Sequence, residues 1–540
     1  MKKKKQSIVL AGLISTSGLF LSKAIGIFYL VPFNAIVGTE NMVFYAQAYN
    51  VYAYMLNIFT AGFPLAIAAL VTRYVTMEDY HTAFLIKKLA KRVMVVLGMI
   101  AALLLMVCSG VIAPLMVSKS AEDIEIMRNV LVVLAFALMF VPYLSAMRGF
   151  YQGMKDMEVY AVSQVLEQFS RVIFLLAAGA ISVYIFHTNR IVAIYFAVFS
   201  AAVSALFAIL HISLYDRKKM KEFRKKEATQ PIIMRKDSKL LFKEMVRMSV
   251  PYLVMAVFGY SDMMINSLFL PSGLAAYGYS SSMINVITGV ISGNVQKLMA
   301  IPMVLAPGFT AAIIPCLTAS VVHNDRIGIR KSMTDCISSV LYIGIPVSFC
   351  LFAFAKGIYF TMYGSDYLNI NADILRWYSL EAFLNTIGPI FTSIMMAVGL
   401  RRLQMKYLAV YALVKGVTTY PLIAMFSYPG SVFSTLLAMT ACIVLCIHAL
   451  HKHFGLELKE LSSRMVKIVI CTLTIWLTAK GMSALGWDGY GTNRLFALLE
   501  LGISGGLAML LYAASTLIFH LPERIFDFHI EAFCKIHKRK

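Results

Sequence analysis

Charged residues are scarce in this sequence. Asp, Glu, Lys and Arg together make up 14% of the 540 residues, whereas 60% are hydrophobic. An average soluble domain is about 25% charged and about 45–50% apolar. A soluble fold has too little interior to bury this much apolar surface. The composition therefore excludes a water-soluble enzyme, a disordered chain and a coiled coil, and predicts an all-α protein that crosses a membrane many times.

Acidic residues are the scarcer of the two charge types. The chain has 27 Asp and Glu against 49 Lys and Arg, which gives a net charge of +22. The basic residues lie in short segments between apolar runs rather than on one soluble face. This distribution is typical of the signal that orients a membrane protein, so nucleic acid is not predicted as a partner.

Metal-ligand and catalytic motifs are missing as well. The eight cysteines lie almost all in apolar runs, without a His or a second Cys pair at metal-ligand spacing, so no metal site is predicted. The chain has no GxxxxGK(S/T) sequence and no hydrolase or kinase signature. We therefore expect no enzyme activity and no cofactor. A secondary transporter or flippase is predicted, driven by the membrane potential or by a gradient of Na⁺ or H⁺.

Apolar runs long enough to cross the bilayer recur along the chain. Fourteen are found, at about residues 8–37, 43–75, 93–117, 127–149, 159–184, 190–214, 245–271, 280–320, 333–355, 371–399, 405–427, 430–450, 464–486 and 494–520. The first follows the basic segment Lys2–Lys5 but is too long for the apolar core of a signal peptide, and is predicted to be retained as a membrane helix. The longest runs are expected to tilt, bend or project beyond the bilayer.

Loop charges predict the orientation. With Lys2–Lys5 in the cytoplasm, the loops assigned to the inside carry about 36 basic residues and those assigned to the outside about 6. Lys87 is placed in one of the inside loops, and the longest of them, about 215–246, is strongly basic. Both termini are therefore predicted to be cytoplasmic, and the long loop is predicted to contact anionic lipid headgroups.

An internal repeat divides the chain. Val141-Pro-Tyr-Leu-Ser-Ala-Met in the fourth run resembles Gly388-Pro-Ile-Phe-Thr-Ser-Ile in the tenth, and Phe63-Pro64 in the second has a weaker counterpart in Ile314-Pro315 of the eighth. Each matching pair is an even number of spans apart, so the repeats run in the same direction across the membrane. We predict two parallel six-helix lobes around a central cleft, plus two C-terminal helices. The predicted parts are an N-lobe (1–214), a basic cytoplasmic linker (215–244), a C-lobe (245–450), the last two spans (451–520) and a basic cytoplasmic tail (521–540).

Charges inside the spans mark a candidate site, since each costs about 2.5–3.5 kcal/mol on insertion scales. Lys23 lies halfway along the first run and is predicted to face the cleft rather than to pair with a neighbouring helix. Lys297 precedes prolines that should bend the eighth helix, which favours anion binding beside it. Asp262 is either a counter-ion to a basic residue or a site for a cation or proton. The helix-bending prolines are Pro64, Pro302, Pro307 and Pro315.

Four further charged residues leave two interpretations open. Glu167 and Arg171 are four apart on one helix face, as either an intrahelical ion pair or a pair that lines the cleft. Arg73 and Arg148 lie near the cytoplasmic ends of their spans, where snorkelling to lipid headgroups explains them almost as well as substrate contact. Together with the two lysines, these residues predict a cationic cleft, which favours a substrate with phosphate groups.

Motifs in the fourth and fifth runs resemble those of a known family. Arg148-Gly-Phe-Tyr-Gln-Gly153, followed by Val162-Ser-Gln-Val-Leu-Glu-Gln168 and Arg171, resembles the RGFFQG…SQxxEQxxR pattern of the MurJ/YtgP-type lipid II flippases of Gram-positive bacteria. These belong to the multidrug/oligosaccharidyl-lipid/polysaccharide (MOP) exporter superfamily. Further matches are Lys23-Ala-Ile-Gly26, Pro32-Phe33, Ala61-Gly-Phe-Pro64, Pro251-Tyr252, Asp262, Val295-Gln-Lys-Leu298, Ile301-Pro302 and Tyr363-Gly-Ser365.

The resemblance implies fourteen helices in two lobes and alternating access. The implied function is movement of lipid II, the lipid-linked peptidoglycan precursor, from the inner to the outer leaflet of the bacterial cell membrane. Lys23 and Lys297 would take the place of basic cleft residues, and four other charges match motif positions directly: Arg148, Glu167, Arg171 and Asp262. The implied partners are an undecaprenyl-pyrophosphate-linked saccharide and membrane lipids. The protein is expected to act as a monomer and to contact cell-wall synthesis enzymes.

One departure from the family pattern leaves the substrate open. After Pro64 the pattern continues with a Ser-Lys pair, where this chain has Ala68-Ala69, and only the later Arg73 keeps a charge. Export of another polyprenyl-linked polysaccharide unit and cation-coupled multidrug export are therefore retained as alternatives. A non-transporting scaffold that gathers cell-wall enzymes is a third.

Overall fold

The computed structural model describes residues 25–26, 29–60, 62–228, 237–491 and 493–526; at 221, 222, 224–226, 304–313, 315, 316 and 319 it describes the backbone alone. Within these ranges most residues are helical and no strand is present, so the predicted all-α class is confirmed. The helices up to residue 289 are α1 (Leu30–Val37), α2 (Met42–Thr60), α3 (Phe63–Thr76), α4 (Tyr80–Met116), α5 (Ala121–Gly153), α6 (Met157–Ala180), α7 (Arg190–Ala228), α8 (Ser238–Gly259), α9 (Ser261–Tyr277) and α10 (Ser281–Gly289). Those that follow are α11 (Gln296–Val322), α12 (Arg326–Ala353), α13 (Ala355–Tyr363), α14 (Leu368–Ala397), α15 (Arg401–Phe426), α16 (Tyr428–Phe454), α17 (Leu458–Ala484), α18 (Arg494–Ile518) and α19 (Leu521–Phe526).

Membrane-length helices confirm the multi-pass architecture. Among the described residues, 12 helical stretches are long and apolar enough to cross a membrane, and they coincide with twelve of the fourteen predicted runs. Most of the first run lies outside the described residues. The eighth run, 280–320, corresponds to α10, the π-helical turn Val290–Val295 and α11, which form one nearly continuous helical segment.

The chain divides into two compact units, Met1–Gly293 and Asn294–Lys540. In the first unit α8, α9 and α10 pack against α2, α3 and α4, so the seventh span belongs to the same compact body as the second to sixth. In the second unit α17 and α18 pack on α12, which places the last two spans beside the helices before them. The repeat-based division of the chain stays a prediction.

The two longest helices of the first unit, α4 and α7, are much longer than the hydrocarbon layer is thick. α4 has 37 residues and α7 has 39, and at 1.5 Å per residue each exceeds the roughly 30 Å of the hydrocarbon layer. Lys87 lies inside α4, with its side chain 7% exposed and paired with Asp216 of α7. The prediction that Lys87 lies in a loop is therefore wrong, because α4 begins at Tyr80, well before its apolar run. Its cytoplasmic side stays a prediction. α7 likewise continues into the stretch predicted as the basic linker.

A glycine separates α2 from α3 within the second span. Gly62 has a φ of 73°, a left-handed conformation that favours glycine. A Cβ atom there would lie 2.6 Å from Cβ of Tyr252, so no larger residue fits against α8. Pro64 follows in the first turn of α3, where a missing N–H leaves no hydrogen bond unmade. The break between α2 and α3 thus lies just before Pro64.

Small residues bring α4 and α5 into close contact. A Cβ atom at Gly98 would lie 2.7 Å from the carbonyl oxygen of Leu138, so the two backbones nearly touch. The opposite face of α4 carries exposed apolar residues such as Val107 and Val111, which are 72% and 73% exposed. Small residues between helices and large apolar ones facing outward are typical of membrane helices, whose outer faces contact lipid.

Candidate functional site

The site is built on α5 and α6, which carry the Arg148-Gly-Phe-Tyr-Gln-Gly153 and Ser163-Gln-Val-Leu-Glu167 motifs. A Cβ atom at Gly149 would lie 2.7 Å from the carbonyl oxygen of Pro64, and one at Gly153 would lie 2.7 Å from that of Ala68. The hydroxyl of Thr72 donates to the carbonyl of Gly153 at 2.9 Å. The motif glycines therefore seat α3 directly on α5. Ala68, where the family pattern is polar, lies at this backbone contact.

Arg148, Glu167 and Arg171 form one buried cluster, called here the arginine–glutamate triad. Nη1 of Arg148 donates to Oε2 of Glu167 at 2.8 Å, and Nη2 of Arg171 donates to Oε1 at 2.8 Å. Nε of Arg148 also donates to the hydroxyl of Ser163 at 2.9 Å. The predicted intrahelical ion pair between Glu167 and Arg171 is present, and Arg148 joins it from the preceding helix.

The burial of Arg148 argues against snorkelling to lipid headgroups. Its side chain is only 8% exposed, as is expected for a residue held by Glu167 rather than one extended toward lipid headgroups. A buried charge is tolerated when it is paired and hydrogen-bonded. Arg148 therefore lies inside the first unit, where it forms a buried polar contact between α5 and α6.

A row of tyrosines on α2 extends the triad. Nη1 of Arg171 donates to the hydroxyl of Tyr49 at 2.8 Å, and the ring of Tyr49 lies between those of Tyr45 and Tyr52, with centroid separations of 5.9 and 5.6 Å. The hydroxyls of Tyr45 and Tyr29 are 2.8 Å apart. These positions on α2 are three or four residues apart, so they share one helix face. The first unit therefore contains a continuous polar column that crosses from α2 to α5.

Two polar atoms of this column have no hydrogen-bond partner among the described residues. They are Nη2 of Arg148 and the hydroxyl of Tyr52. Two guanidinium groups share one carboxylate, so the triad also carries one uncompensated positive charge. An unused N–H donor beside a net positive charge in a membrane bundle favours an anionic oxygen as a ligand.

The first-helix motif approaches the same place. Lys23 lies outside the described residues, but Gly26, which ends the Lys23-Ala-Ile-Gly26 motif, is described and buried. A Cβ atom at Gly26 would lie 3.3 Å from Nε2 of Gln168, the residue next to Glu167. Two stretches quoted for the family resemblance are therefore in contact in the fold, although they are more than a hundred residues apart in the sequence.

Arg73 lies at the end of α3 and is 52% exposed at its side chain. Its Nη1 pairs with Oε1 of Glu244 on α8 at 2.5 Å. Sequence reasoning missed Glu244, since a single acidic residue in a basic segment carries no signal of its partner. Exposed ion pairs contribute little stability, so this arginine keeps the freedom to contact another anion.

Asp262 lies in the first turn of α9, half-buried, where a negative charge is favoured by the helix dipole. Its Oδ2 accepts a hydrogen bond from Asn266 at 3.3 Å, within the same helix. Both interpretations of Asp262, as a counter-ion and as a cation or proton site, stay predictions. Among the described residues, no group of three or more His, Cys, Asp or Glu is arranged to hold a metal ion.

Lys297 lies in the second unit, in the first turn of α11, and is half-buried. The backbone of α11 continues as a helix through Pro302, Pro307 and Pro315 to Val322. The π-helical turn at Val290–Val295 comes directly before it. The wider turn, rather than a gap in the helix, marks the irregular point of this segment, and π turns are frequent near functional sites.

Lys415, to which the sequence assigns no functional role, is fully buried between α15 and α16. Its Nζ donates to the hydroxyl of Thr435 at 2.6 Å and to the carbonyl of Ser431 at 3.1 Å. The next helical turn continues the contact, because Thr419 and Ser434 have hydroxyls 2.9 Å apart. This arrangement joins two neighbouring spans and is a packing contact.

A family model described as polysaccharide biosynthesis protein matches residues 9–321. The chain belongs to this family. The match covers more than half of the sequence, including the triad and both of its motifs.

Similar proteins agree with the resemblance drawn from the motifs. The chain is 28% identical over 477 residues to a Bacillus subtilis (strain 168) protein named lipid II flippase MurJ, covering 86% of this chain and 87% of that protein. A solved structure of lipid II flippase MurJ in an inward closed conformation matches 94% of this chain and 99% of its own, with a TM-score of 0.64 and 14% identity.

A multidrug resistance MATE family transporter of the MOP superfamily, solved in an inward-facing conformation, has a similar fold. It matches 83% of this chain and 95% of its own, with a TM-score of 0.61 and 15% identity. The predicted resemblance to the MurJ-type flippases is confirmed by the Bacillus subtilis relative of that name. At these identities the two solved structures bear on the fold alone.

Proposed function

We propose that this protein is a flippase for lipid II, which carries the lipid-linked peptidoglycan precursor from the inner to the outer leaflet by alternating access. The observation that carries the proposal is the arginine–glutamate triad, a net positive charge with an unused donor inside a bundle of membrane helices. Family membership and the similarity to a protein named lipid II flippase support the same conclusion.

The substrate chemistry fits the charge of the site. The pyrophosphate that joins the saccharide to its undecaprenyl chain is anionic, and guanidinium groups bind phosphate oxygens through paired hydrogen bonds. In the proposed mechanism the headgroup binds against Arg148 and Arg171, with Lys23 and Arg73 as further cationic contacts. A role for Lys297 in substrate binding stays a prediction. The undecaprenyl chain stays in the lipid. No covalent bond of the substrate changes, so the protein is not an enzyme.

The setting of the transport step is part of the same proposal. The protein lies in the bacterial cell membrane with both termini in the cytoplasm, as the loop charges predict. It works as a monomer without a bound cofactor and contacts cell-wall synthesis enzymes. The membrane potential or a gradient of Na⁺ or H⁺ drives the cycle, with Asp262 as the candidate site for the coupled cation or proton.

Complementation tests the proposal. The parent chain and Arg148→Gln, Arg171→Gln and Lys23→Ala variants are expressed in a bacterium depleted of its own lipid II flippase. Accessibility of lipid II to a membrane-impermeant cleaving enzyme reports flipping directly. We expect the parent to restore growth and flipping, and the variants to flip at least about tenfold more slowly, the loss of one charge-assisted contact.

A matched control separates transport from folding. Arg464 on α17 is also buried and paired, with Asp335 at 2.9 Å and with Glu460, but lies outside the triad. Arg464→Gln at the same membrane level should flip faster than the triad variants. A parent that inserts normally and restores nothing would contradict lipid II as the substrate and favour another polyprenyl-linked glycan. Drug resistance gained by cells that express the parent, and lost again with Asp262→Asn, would favour multidrug export.

A further inference from the structure

A pocket lies in the second unit, where α13 and the start of α14 meet the segment between α17 and α18. Its volume is about 450 Å³, within the range of small-molecule sites. Its lining includes Lys356, Ser365, Tyr367, Asn369 and Tyr490. The proposed function makes no use of this pocket, which belongs to a different compact unit from the triad.

Short backbone contacts fix the two segments that form the walls. A Cβ atom at Gly357 would lie 3.1 Å from the carbonyl oxygen of Gly489, so the two backbones touch. The N–H of Gly489 donates to Oε2 of Glu500 at 3.1 Å, and Gly364 lies against the guanidinium of Arg494. These contacts position Tyr490 beside Lys356, and the pocket is therefore a built feature rather than a gap between loose loops.

A buried hydrogen bond holds α13, the helix that carries Lys356, in place. Nδ2 of Asn294 donates to the hydroxyl of Tyr359 at 3.0 Å, and Asn294 and Tyr359 are both buried. On the other wall, Tyr367 has a φ of 50°, a left-handed conformation that is rare for a large side chain. Backbone strain of this kind is concentrated at ligand-binding sites. Nδ2 of Asn371 holds the strained loop through the carbonyl of Asp366 at 2.9 Å.

The lining has the chemistry of a site for a charged sugar. Nζ of Lys356 lies 4.2 Å from the ring centre of Tyr490, so a cation and an aromatic face adjoin each other. Tyr490 and Tyr367 are 38% and 40% exposed, which leaves ring surface on which the apolar face of a pyranose can stack. Ser365 and Asn369 add a hydroxyl and an amide for sugar hydroxyls. Lys356 is the one charged side chain of the lining, so an anion is favoured.

The side of the membrane follows from the charges at the helix ends. The opposite ends of α12 and α14 are basic: Arg326 and Arg330 lie in the first turns of α12, and Arg401 and Arg402 follow α14. By the positive-inside rule these ends are cytoplasmic, and the pocket faces outward.

We propose that this pocket binds a sugar phosphate, and that it receives the saccharide headgroup on the outer side as the transported lipid leaves the protein. The role in substrate release rests on the proposed function, whereas the binding of a sugar phosphate does not. The pyranose stacks on Tyr490, the phosphate faces Lys356, and Ser365 and Asn369 bind hydroxyls. Because the pocket is open to solvent, binding is weak, which suits a release site.

Ligand-observed NMR tests the binding without any transport. The full chain in phosphatidylcholine nanodiscs is mixed with glucose 1-phosphate, glucose or inorganic phosphate, and saturation transfer to the pyranose protons is recorded. We expect millimolar binding of glucose 1-phosphate, weaker signals for glucose and incomplete competition by phosphate. Tyr490→Ala and Lys356→Gln should each weaken binding about tenfold.

Lys480 and Trp476 on α17 supply the control, since they form a cation–aromatic pair of similar type, with 6.0 Å between Nζ and the ring centre, and neither lines the pocket. Lys480→Gln and Trp476→Ala should bind as the parent does. Equal signals from the parent and both pocket variants would overturn the proposal, and so would equal loss in the control variants. Full competition by phosphate alone would identify a plain anion site and overturn the sugar component.

The transport assay separates the two proposals. If the parent restores flipping, Tyr490→Ala and Lys356→Gln should slow it about threefold to tenfold while leaving membrane level unchanged. Variants that lose binding but flip at the parent's rate would overturn the release role. If the parent binds glucose 1-phosphate through the pocket yet restores no flipping, the proposed function fails and the binding site stands.

Discussion

Arg148 reaches from one membrane helix to the next and donates to Glu167 at 2.8 Å. The contact joins α5 to α6 near the turn that connects them, and Arg171 occupies the other oxygen of the same carboxylate. Removing the carboxylate leaves two buried cations facing each other, whereas removing one arginine leaves a neutral pair. The consequences of the two changes should therefore differ, and both can be measured.

Glu167→Gln should destabilise the protein more than Arg148→Gln. Breaking a buried ion pair from one side costs about 3–5 kcal/mol because the remaining charge is uncompensated, and Glu167→Gln leaves two such charges. Thermal unfolding in detergent, followed by circular dichroism, gives the order of the two variants. The Arg148→Gln/Glu167→Gln double variant should cost less than the sum of the single changes. An additive double variant would show that the contact is energetically unimportant.

Tyr49→Phe and Tyr52→Phe should have different effects although the residues lie on one face of α2. The hydroxyl of Tyr49 accepts from Arg171 at 2.8 Å, whereas that of Tyr52 has no partner among the described residues. A hydrogen bond to a charged group contributes about 1.5–3 kcal/mol, and removing an unsatisfied buried hydroxyl is neutral or stabilising. Lower unfolding temperatures for Tyr49→Phe alone are expected. Equal shifts for both would contradict the assignment.

Arg73→Ala should leave stability almost unchanged and reduce transport. The side chain is 52% exposed, and its pair with Glu244 lies where solvent screens the charge. A direct role in holding the headgroup predicts slower flipping with an unchanged unfolding temperature. Glu244→Ala removes the same ion pair and is the matched control: it should not slow flipping. If both variants are equally slow, the ion pair itself rather than a free arginine is required.

Exchanging the charges of Lys87 and Asp216 should restore part of what each single change removes. The pair joins α4 to α7, and Nζ of Lys87 also lies 4.6 Å from the ring centre of Phe150. Lys87→Asp alone places two carboxylates together in a largely buried site, which destabilises the folded protein by several kcal/mol. The Lys87→Asp/Asp216→Lys variant should unfold at a higher temperature than either single variant. A double variant no better than Lys87→Asp would refute the pairing.

Gly149→Ala should disrupt the first unit, and Gly110→Ala should not. A Cβ atom at Gly149 would lie 2.7 Å from the carbonyl of Pro64, while one at Gly110 has no atom within 4 Å. Overpacking of this kind costs about 1–3 kcal/mol, whereas Gly to Ala in an open helix gains up to about 1 kcal/mol. Unfolding temperatures should move in opposite directions. A stable Gly149→Ala protein would show that α3 shifts easily on α5.

The local spacing of Glu167 and Arg171 predicted their ion pair, because residues four apart on a helix face each other. The membrane-length helices followed from apolar runs in the same way. The ion pair of Arg148 could not be predicted in this way, since its partner lies 19 residues further along, on another helix. Periodicity says which residues share a face of one helix but not which faces of two helices meet.

Lys87 shows that the position of a charged residue in the sequence does not predict whether it is buried. A lysine before an apolar run predicts a cytoplasmic loop, and only the length of α4 and the position of Asp216 on α7 reveal a buried pair. Tyr49 and Glu244 were missed for the same reason, because their roles come from contacts between helices distant in sequence. The motif around Gly149 was interpreted only as a family resemblance, and its close contact with Pro64 is seen only in the structure.

The two compact units are also different optically. All three tryptophans, Trp377, Trp476 and Trp487, lie in Asn294–Lys540, whereas Met1–Gly293 has none. Tryptophan emission therefore reports on the second unit alone, with Trp487 three residues from the pocket tyrosine. The arginine–glutamate triad adjoins tyrosines but no tryptophan. Excitation at the long-wavelength edge of tryptophan absorption therefore gives no emission from it. A single tryptophan introduced on the α2 face would make the triad visible against a background that arises entirely from the other unit.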